Sequence, residues 1–347
     1  AQPRAWRWQR GGNQPSCAGC FAVKRRAIIL VYLGSPSAPE PAAIRQFLNL
    51  FLSDPRVVEI PRWLWLPLLR AVILPLRSKR VAKLYQSIWT EQGSPLTAIT
   101  HRQAEQLEKL LSSDVLVRTA AVYGEPSLAQ RVVELRKQGI EQFLVLPMYP
   151  QYSATTTAAV YDQVAQIFVQ QRYVPDIQIV REYCYRADYI AALAQSIRQH
   201  RAQHGAADML LFSFHGIPQA CVDRGDPYYE QCQYTARAVA EVLNLSSAQW
   251  RIGFQSRFGR AQWLQPYTDD VLASLPASGI RRVDVVCPAF ATDCLETLEE
   301  IEHGSRRFFK DAGGEYFSRI DCLNDADEHI AMLCAIASEY GFGDAKK

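Results

Sequence analysis

The sequence lacks any uninterrupted apolar run of the roughly 18–20 residues that a membrane-spanning helix needs. Its nearest approach is IPRWLWLPLLRAVILPL, residues 60–76, which two arginines and three prolines interrupt. The segment is too broken to cross a bilayer, but its apolar side chains suit a position on a membrane surface. An ordinary buried helix is the alternative interpretation, although three prolines argue against a long regular helix.

The sequence also lacks the excess of basic residues that is typical of nucleic-acid-binding proteins. Its 38 lysines and arginines against 35 aspartates and glutamates leave a formal net charge of +3 over 347 residues. With 48% hydrophobic and 21% charged residues, the composition is that of a soluble folded protein. The length indicates two domains of ordinary size. Nucleic acid is therefore not expected as a partner.

A disulfide framework is absent as well. The nine cysteines are odd in number and are scattered through α/β-like sequence, so we expect reduced thiols and a cytoplasmic protein. Residues 1–26 contain no acidic residue and no apolar core of a secretory signal, and they are expected to form a basic, disordered extension. Cys17 and Cys20 within it would need two further ligands to hold a structural zinc ion, and nothing nearby supplies them.

Three familiar motifs are missing from the sequence: GxGxxG, the Walker A loop and GxSxG. The sequence contains instead a series of short apolar or β-branched runs that alternate with amphipathic stretches, as in βαβ units. The runs cover residues 27–34, 114–124, 143–150, 209–216, 251–256 and 283–290. They predict an α/β fold of two Rossmann-like domains, 27–171 and 172–341, with parallel sheets flanked by helices and a ligand cleft between the domains.

His215 ends the apolar run LLFSF and precedes Gly216, so it is expected at a strand end that faces the cleft. A neutral imidazole there would serve as a metal ligand or as a proton acceptor. A histidine that only hydrogen-bonds to a loop is the simpler alternative. Further along the chain, Asp226 and Pro227 predict the start of a helix, with the aspartate as its N-cap.

A second candidate group lies in CPAFATDCLETLEEIE, residues 287–302. Glu296 fits a capping box with Asp293, three residues earlier, which would be a purely structural role. Glu300 follows Glu296 by one helical turn, and a row of carboxylates that starts at the cleft would offer a path for a divalent cation. Both interpretations of Glu296 stay open at this point.

Two loops complete the candidates. Residues 146–162 carry three tyrosines and a run of serine and threonine. They suit either a phosphate-binding loop of hydroxyls or helix capping by Ser153 or Thr155 with tyrosines packed over a flat ligand. Residues 253–272 combine cations and large rings, the mixture that flat ligands bearing carboxylates need. These are Arg257, Arg260, Trp263 and Tyr267.

Seven motifs in this sequence resemble those of the ferrochelatase family, in the family's order. They are EQGSPL (91–96), YPQYSATTT (149–157), FSFHGIP (212–218), DRGDPYYEQC (223–232), FQSRFG (254–259), WLQPYTDD (263–270) and DCLETLEE (293–300). The resemblance runs from about residue 27 to 335. Seven ordered motifs are far more specific than any one of them alone.

The resemblance implies a type of chelatase fold and an enzyme that inserts ferrous iron into protoporphyrin IX, the last step of haem synthesis. It implies that His215 faces Glu296 across the macrocycle, and that the row from Glu296 to Glu300 guides Fe(II) or exports protons. Iron is then a substrate, with His215, Glu296 and Glu300 as its candidate ligands. The residues expected to contact the porphyrin are Leu33, Arg77, Tyr123, Tyr152, Trp263 and Phe290, with Arg77 at the mouth of the pocket.

The resemblance also makes residues 60–76 the lip over the pocket. Trp63, Trp65 and Leu66 would then lie near a membrane or over the porphyrin. The implied location is cytoplasmic, with peripheral contact to the inner membrane as an alternative.

Departures from the family pattern bear on cofactors. Ala154 stands where animal members carry a cysteine, and the C-terminal end holds only Cys322 and Cys334, so no iron–sulfur cluster is expected. Cys294 stands where some relatives have a histidine, which alters any proton-relay role there. Two rival hypotheses remain: a chelatase for another tetrapyrrole or metal, and a haem carrier that has lost the chemistry.

Overall fold

The computed structural model describes residues 26–259 and 261–343. The basic extension expected at residues 1–26, with Cys17 and Cys20, lies outside the described residues except for Arg26, as does Arg260.

Parallel strands in the described residues form two four-stranded sheets. The strands are β1 (Arg26–Tyr32), β2 (Val115–Ala121), β3 (Gln142–Pro147), β4 (Asp176–Ile179), β5 (Met209–His215), β6 (Trp250–Gln255), β7 (Arg282–Val286) and β8 (Tyr316–Arg319). The first sheet has the order β2-β1-β3-β4 and the second the order β6-β5-β7-β8. The two sheets therefore repeat one topology, with the first strand of each half in second place.

Helices connect the strands and cover both sheets. The α-helices are α1 (Pro41–Leu52), α2 (Arg62–Leu68), α3 (Leu74–Ile88), α4 (Pro95–Leu110), α5 (Leu128–Lys137), α6 (Thr157–Gln170), α7 (Ala187–His204), α8 (Gln219–Asp223), α9 (Tyr228–Val242), α10 (Thr268–Ser274), α11 (Arg306–Asp311) and α12 (Asp327–Glu339). Two segments are π-helical, Leu69–Ile73 and Glu296–Ser305, and Pro276–Ser278 is a 3₁₀ turn. No helix among the described residues is long and apolar enough to span a membrane.

The six apolar runs predicted as strands coincide with β1, β2, β3, β5, β6 and β7. Their residues are buried almost without alternation because helices cover both faces of a parallel sheet. The largest apolar core contains side chains of both sheets, among them Leu30 and Leu146 of the first and Leu210 and Phe212 of the second. The two halves therefore share a core.

The boundary expected at residue 172 needs correction. Residues 176–179 form β4, which pairs with β3 of the first sheet, Gln142 opposite Asp176 through Val145 opposite Ile179. The second sheet begins only with β5 at Met209. The segment after residue 172 therefore completes the first sheet, because its backbone hydrogen bonds are made there.

Residues 62–88 are helical throughout but do not form one regular α-helix, because the π-helical turn Leu69–Ile73 separates α2 from α3. The π-helical turn Leu69–Ile73 follows Pro67, and Pro75 lies at the start of α3, so the missing N–H groups fall where the hydrogen-bond register changes. The helix is not buried as a whole, because Trp63 is 79% and Leu76 73% exposed. Its inner side is held by Trp65, whose Nε1 donates to the carbonyl of Leu52 at 2.6 Å.

Candidate active site

His215 is the last residue of β5, at the carboxyl end of the second sheet. Its Nδ1 lies 2.7 Å from the carbonyl oxygen of Gly216. Because a carbonyl only accepts, Nδ1 carries the proton and Nε2 of the neutral ring keeps a free lone pair. Burial lowers the pKa of His215, and the charge of Glu296 opposes that shift. The ring is therefore a neutral base at neutral pH.

Two of the predicted porphyrin contacts surround His215. The ring centroid of Trp263 lies 6.5 Å from that of His215, and the centroid of Phe290 lies 6.2 Å from it. Gly216 makes this packing possible, because a Cβ there would come within 2.9 Å of the Gln255 carbonyl oxygen and 3.2 Å of the Trp263 ring. Two tilted aromatic rings thus flank the imidazole, at interplanar angles of 52° for Trp263 and 62° for Phe290.

Glu296 is the first residue of the second π-helix, and its carbonyl oxygen accepts a hydrogen bond from Gln255 Nε2 at 3.0 Å. The capping-box interpretation is wrong, because the backbone N–H of Asp293 donates to Asn324 Oδ1 at 2.8 Å and the helix start has no side-chain cap. Thr297, the next residue, donates its hydroxyl to Asp293 Oδ1 at 2.7 Å. The carboxylate of Glu296 is thus not used to cap the helix.

The charge of Glu296 acts on groups from both halves of the molecule. Burial lowers the pKa of Arg77 and raises that of Tyr85, and Glu296 raises both. Burial also raises the pKa of Cys294, with Glu296 adding to the shift. Helix α3, which carries Arg77 and Tyr85, packs against the π-helix Glu296–Ser305. Glu296 therefore lies where the two halves meet.

Glu300 lies four residues further along the same π-helix. Its carboxylate accepts two hydrogen bonds from Ser256, from the backbone N–H at 2.7 Å and from the hydroxyl at 2.6 Å. Burial raises the pKa of Glu300 to about 7, Ser256 lowers it, and the charge of Glu296 adds to the rise. Ser256 has a φ of 66°, a left-handed conformation that directs its N–H and hydroxyl at one carboxylate. Sequence reasoning missed Ser256 as a site residue, although it directly follows β6.

The remaining predicted contacts lie in the first half of the molecule. Arg77 has its guanidinium carbon 4.3 Å from the ring centroid of Phe258. The hydroxyl of Tyr123 donates to Asp54 Oδ2 at 2.8 Å, and burial raises its pKa. Leu33 packs against the same apolar core as Tyr123. Each of these three residues has a partner within the protein.

The loop after β3 is held by the second half. Tyr152 donates its backbone N–H to Gln231 Oε1 at 2.7 Å. The buried Asp226 Oδ2 accepts from the Ser153 hydroxyl at 2.9 Å and from the Ala154 N–H at 2.7 Å. Asp226 therefore takes two of the donors that a phosphate would need and places a carboxylate beside the loop, which disfavours the phosphate-loop interpretation.

The sequence predicts side-chain caps at the start of two helices, α6 and α9. Neither Ser153 nor Thr155 caps the following helix, because α6 begins at Thr157 without a side-chain cap. The N-cap position of α9 is held by Pro227 rather than by Asp226 as expected, although Asp226 Oδ1 accepts a hydrogen bond from the N–H of Tyr228, the first residue of that helix, at 3.0 Å.

Two further expectations are altered by the structure. Trp65 is 4% exposed, so it is unavailable to a membrane or a ligand, unlike its neighbour Trp63. In the part of the chain that the structure describes, no three His, Cys, Asp or Glu side chains converge on a metal position. His215, Glu296 and Glu300 are thus not assembled as a closed three-ligand site, and their role as iron ligands stays a prediction.

Solved structures of chelatases share this fold. SirB from Bacillus subtilis with Fe³⁺ matches with a TM-score of 0.52 at 13% sequence identity, covering 92% of this chain and 99% of that one. The sirohydrochlorin chelatase SirB from Bacillus subtilis subspecies spizizenii in complex with cobalt matches with a TM-score of 0.54 at 12% identity, covering 92% and 98%. The fold class is therefore that of the α/β chelatases.

The sequence comparisons narrow this class to one family. The family model described as Ferrochelatase matches residues 25–340. Ferrochelatase 1 of Shewanella oneidensis is 49% identical over 316 residues, 90% of this chain and 95% of the relative. The ferrochelatase of Aeromonas hydrophila is 50% identical over 315 residues, 90% and 97% of the two chains. The chain belongs to the ferrochelatase family, which makes it a metal-chelating enzyme of haem biosynthesis and confirms the resemblance seen in the motifs.

Proposed function

We propose that this enzyme inserts Fe(II) into protoporphyrin IX, with His215 and Glu296 on opposite faces of the macrocycle. Two pyrrole N–H groups lose their protons, four nitrogens bind the metal, and protohaem and two protons are the products. The observation that carries the proposal is the neutral imidazole with a free Nε2 at a strand end, beside the carboxylate-bearing π-helix. A base and a metal-delivering carboxylate are the two groups that the reaction needs.

His215 is the acceptor of a pyrrole proton in this proposal. Its lowered pKa supports this assignment, since a weak base gives up the proton again before the next turnover. Metal ligation by the same Nε2 is the competing role. The two roles differ in their effect on metal preference, because a ligand contributes to selectivity among divalent ions and a proton acceptor does not.

Glu296 and Glu300 have different roles in this proposal, metal delivery and proton export. Glu296 guides Fe(II) to the ring, because its carboxylate is not used to cap the π-helix. Glu300 suits proton export better than metal binding, because its pKa of about 7 leaves it half protonated at neutral pH and Ser256 occupies its oxygens. The helix then carries the metal in at one carboxylate and protons out at the next.

The other predicted site residues would bind the flat faces and the carboxylates of the porphyrin. Trp263 and Phe290, beside His215, would pack on the ring, and Leu33, Tyr123 and Tyr152 would form the wall contributed by the first half. Arg77 at the mouth would bind a propionate, as a guanidinium pairs with a carboxylate.

The helical stretch 62–88 supports peripheral contact of this cytoplasmic enzyme with the inner membrane. Its outward side exposes Trp63, Leu64, Leu68, Val72 and Leu76. No acidic residue lies between Glu59 and Glu91, whereas six lysines and arginines do. An apolar surface with a basic border binds anionic lipid headgroups and the acyl region beneath them.

No iron–sulfur cluster forms part of the proposal. The C-terminal end holds only Cys322 and Cys334, and Ala154 stands at the position of another ligand, so too few cysteines are present for a [2Fe–2S] cluster of the animal type.

The decisive experiment compares anaerobic insertion of Fe(II) into protoporphyrin IX and into coproporphyrin III, followed by the loss of porphyrin fluorescence. The wild type is expected to metallate protoporphyrin IX, and Glu296→Gln to bind it without metallation. Glu299→Gln, a neighbour on the same helix, is the matched control and should stay active. Binding of both porphyrins by the wild type without metallation of either would show that the chain is a carrier. Faster metallation of coproporphyrin III would assign the other substrate.

A further inference from the structure

The segment that leads into the second π-helix is tied to the first half of the molecule by one buried side chain. Gln103 of α4 is fully buried. Its Nε2 donates to the carbonyl oxygen of Asn324 at 2.7 Å and lies 3.0 Å from the hydroxyl of Thr292. Thr292 and Asn324 both belong to the second half, so Gln103 bridges the two halves at this point.

Asn324 connects Gln103 to Asp293, in the segment that leads into the second π-helix. Its side-chain amide makes two hydrogen bonds to Asp293: Nδ2 donates to the carboxylate at 2.6 Å, and Oδ1 accepts the backbone N–H at 2.8 Å. The N–H of Asn324 also donates to the carbonyl oxygen of Ala291 at 3.1 Å. Asn324 has a φ of 48°, a left-handed conformation that asparagine tolerates better than most residues.

The carboxylate of Asp293 completes the connection. It accepts the hydroxyl of Thr297 at 2.7 Å and an Arg319 N–H at 2.8 Å. Thr297 follows Glu296 directly in the first turn of the π-helix. Asp293, Thr297 and Arg319 are all buried at these contacts, where hydrogen bonds are stronger and unmet groups more costly than in water.

We propose that Gln103 is a positioning residue that sets the place of Glu296 relative to the porphyrin, through Asn324 and Asp293. The inference rests on the proposed function, since it takes Glu296 as the metal-guiding group. The first half carries part of the pocket wall and Arg77. A porphyrin bound there needs the Glu296 carboxylate of the second half at a fixed position relative to that wall. Gln103 fixes that position because it is a buried polar side chain of the first half that donates a hydrogen bond directly to Asn324.

Gln103→Met tests the inference, since methionine keeps the length of the side chain and removes the amide. Arg102→Met is the matched control. Arg102 is the neighbouring residue on α4 and binds Asp325, next to Asn324, through Nε at 2.7 Å. It thus ties the same helix to the same segment without a bond to Thr292 or Asn324.

We expect Gln103→Met to lower kcat for iron insertion by about tenfold with KM for the porphyrin unchanged, because a displacement below ~1 Å already costs a large factor in rate. Arg102→Met should keep kcat within about twofold. Backbone amides of residues 294–300 should exchange with deuterium faster in Gln103→Met than in Arg102→Met, a difference that does not depend on activity.

Equal kcat values for the two variants, or equal exchange rates at residues 294–300, would overturn the role of Gln103. Should Gln103→Met fail to fold, Thr292→Val removes one partner of the amide at nearly constant volume and is expected to lower kcat to a smaller extent, again at constant porphyrin KM. Failure of the proposed function is a separate result, because the wild type itself would then not metallate protoporphyrin IX while the exchange difference persists.

Discussion

Ser256 donates two hydrogen bonds to the carboxylate of Glu300, one from its backbone N–H at 2.7 Å and one from its hydroxyl at 2.6 Å. Both bonds favour the ionised carboxylate and oppose the effect of burial, and together these influences give Glu300 a pKa of about 7. If Glu300 must be ionised to accept a proton, the rate of iron insertion falls as the pH drops below about 7.

Ser256→Gly removes the hydroxyl bond and keeps the left-handed backbone, which glycine adopts without strain. Loss of a bond to the charged form raises the pKa of Glu300, so we expect the acidic limb of the pH–kcat profile to move upward by about one pH unit. Glu300→Gln should abolish that limb. An unmoved limb in Ser256→Gly would show that another group controls the profile.

The raised pKa of Glu300 also affects how the free energy of unfolding depends on pH. Its folded pKa of about 7 lies above the unfolded value of 4.5, so its contribution to stability is fully present below pH 4.5 and lost as the pH rises through about 7. Glu300→Gln should therefore stabilise the protein relative to wild type at pH 8, by at most about 3 kcal/mol, and not at pH 4.5. Thermal unfolding at both pH values measures this, and a destabilised variant at pH 8 contradicts it.

His215→Ala is expected to lower kcat for iron insertion by about 100- to 10,000-fold, as the loss of a general base does. Porphyrin binding, measured by fluorescence titration, should change little because the aromatic contacts remain. The control is His204→Ala, at the exposed end of α7. A His215→Ala variant with near wild-type kcat would remove the imidazole from the mechanism.

Arg77→Ala should raise KM for protoporphyrin IX by about tenfold and leave kcat nearly unchanged, because a charged hydrogen bond of about 1.5 kcal/mol is lost in the ground state and the transition state alike. Arg80→Ala, an exposed neighbour on α3, is the control. The effect should disappear with the dimethyl ester of the porphyrin. If it persists with the ester, Arg77 acts on the fold of the pocket rather than on a carboxylate.

Trp63→Ser should weaken binding to vesicles of phosphatidylglycerol and phosphatidylcholine by about tenfold, since burial of such a side chain in the interface contributes on the order of 1–2 kcal/mol. Val169→Ser removes another exposed apolar side chain, 81% exposed and far from this helix in sequence, and should have no effect. Vesicle sedimentation checks both variants. Equal binding of the two would place the membrane contact elsewhere or nowhere.

The sequence predicted the long, buried strands and missed the short ones. Strands such as β1 and β5 are seven residues long and almost wholly buried, which produces a clear apolar run. Strands β4 and β8 have four residues each and lie at sheet edges, half exposed. Such segments carry too little apolar pattern to be recognised, and β4 was assigned to the wrong half for this reason.

The candidate site shows the same division. His215 could be found because a polar residue ends an apolar run, and Glu296 because of its acidic neighbours and the family motif. The π-helix could not be anticipated, since its register depends on the tertiary setting and is rare. Ser256 and Gln103 act through contacts between distant parts of the chain. Ser256 and Glu300, for example, are 44 residues apart, so no local sequence pattern predicts their contact.

The repeated strand order gives each half equivalent positions just beyond β1, β2 and β3 and beyond β5, β6 and β7. In the first half these positions hold Leu33, Tyr123 and Tyr152; in the second, His215 ends β5, Ser256 follows β6, and the segment after β7 leads to Glu296. Under the proposed function, the first half contributes Arg77 and part of the pocket wall, whereas the second half contributes Trp263, Phe290 and the groups that handle protons and metal. The ion chemistry is then confined to one half, so a substitution in the wall of the other half can change the choice of tetrapyrrole without touching His215 or Glu296.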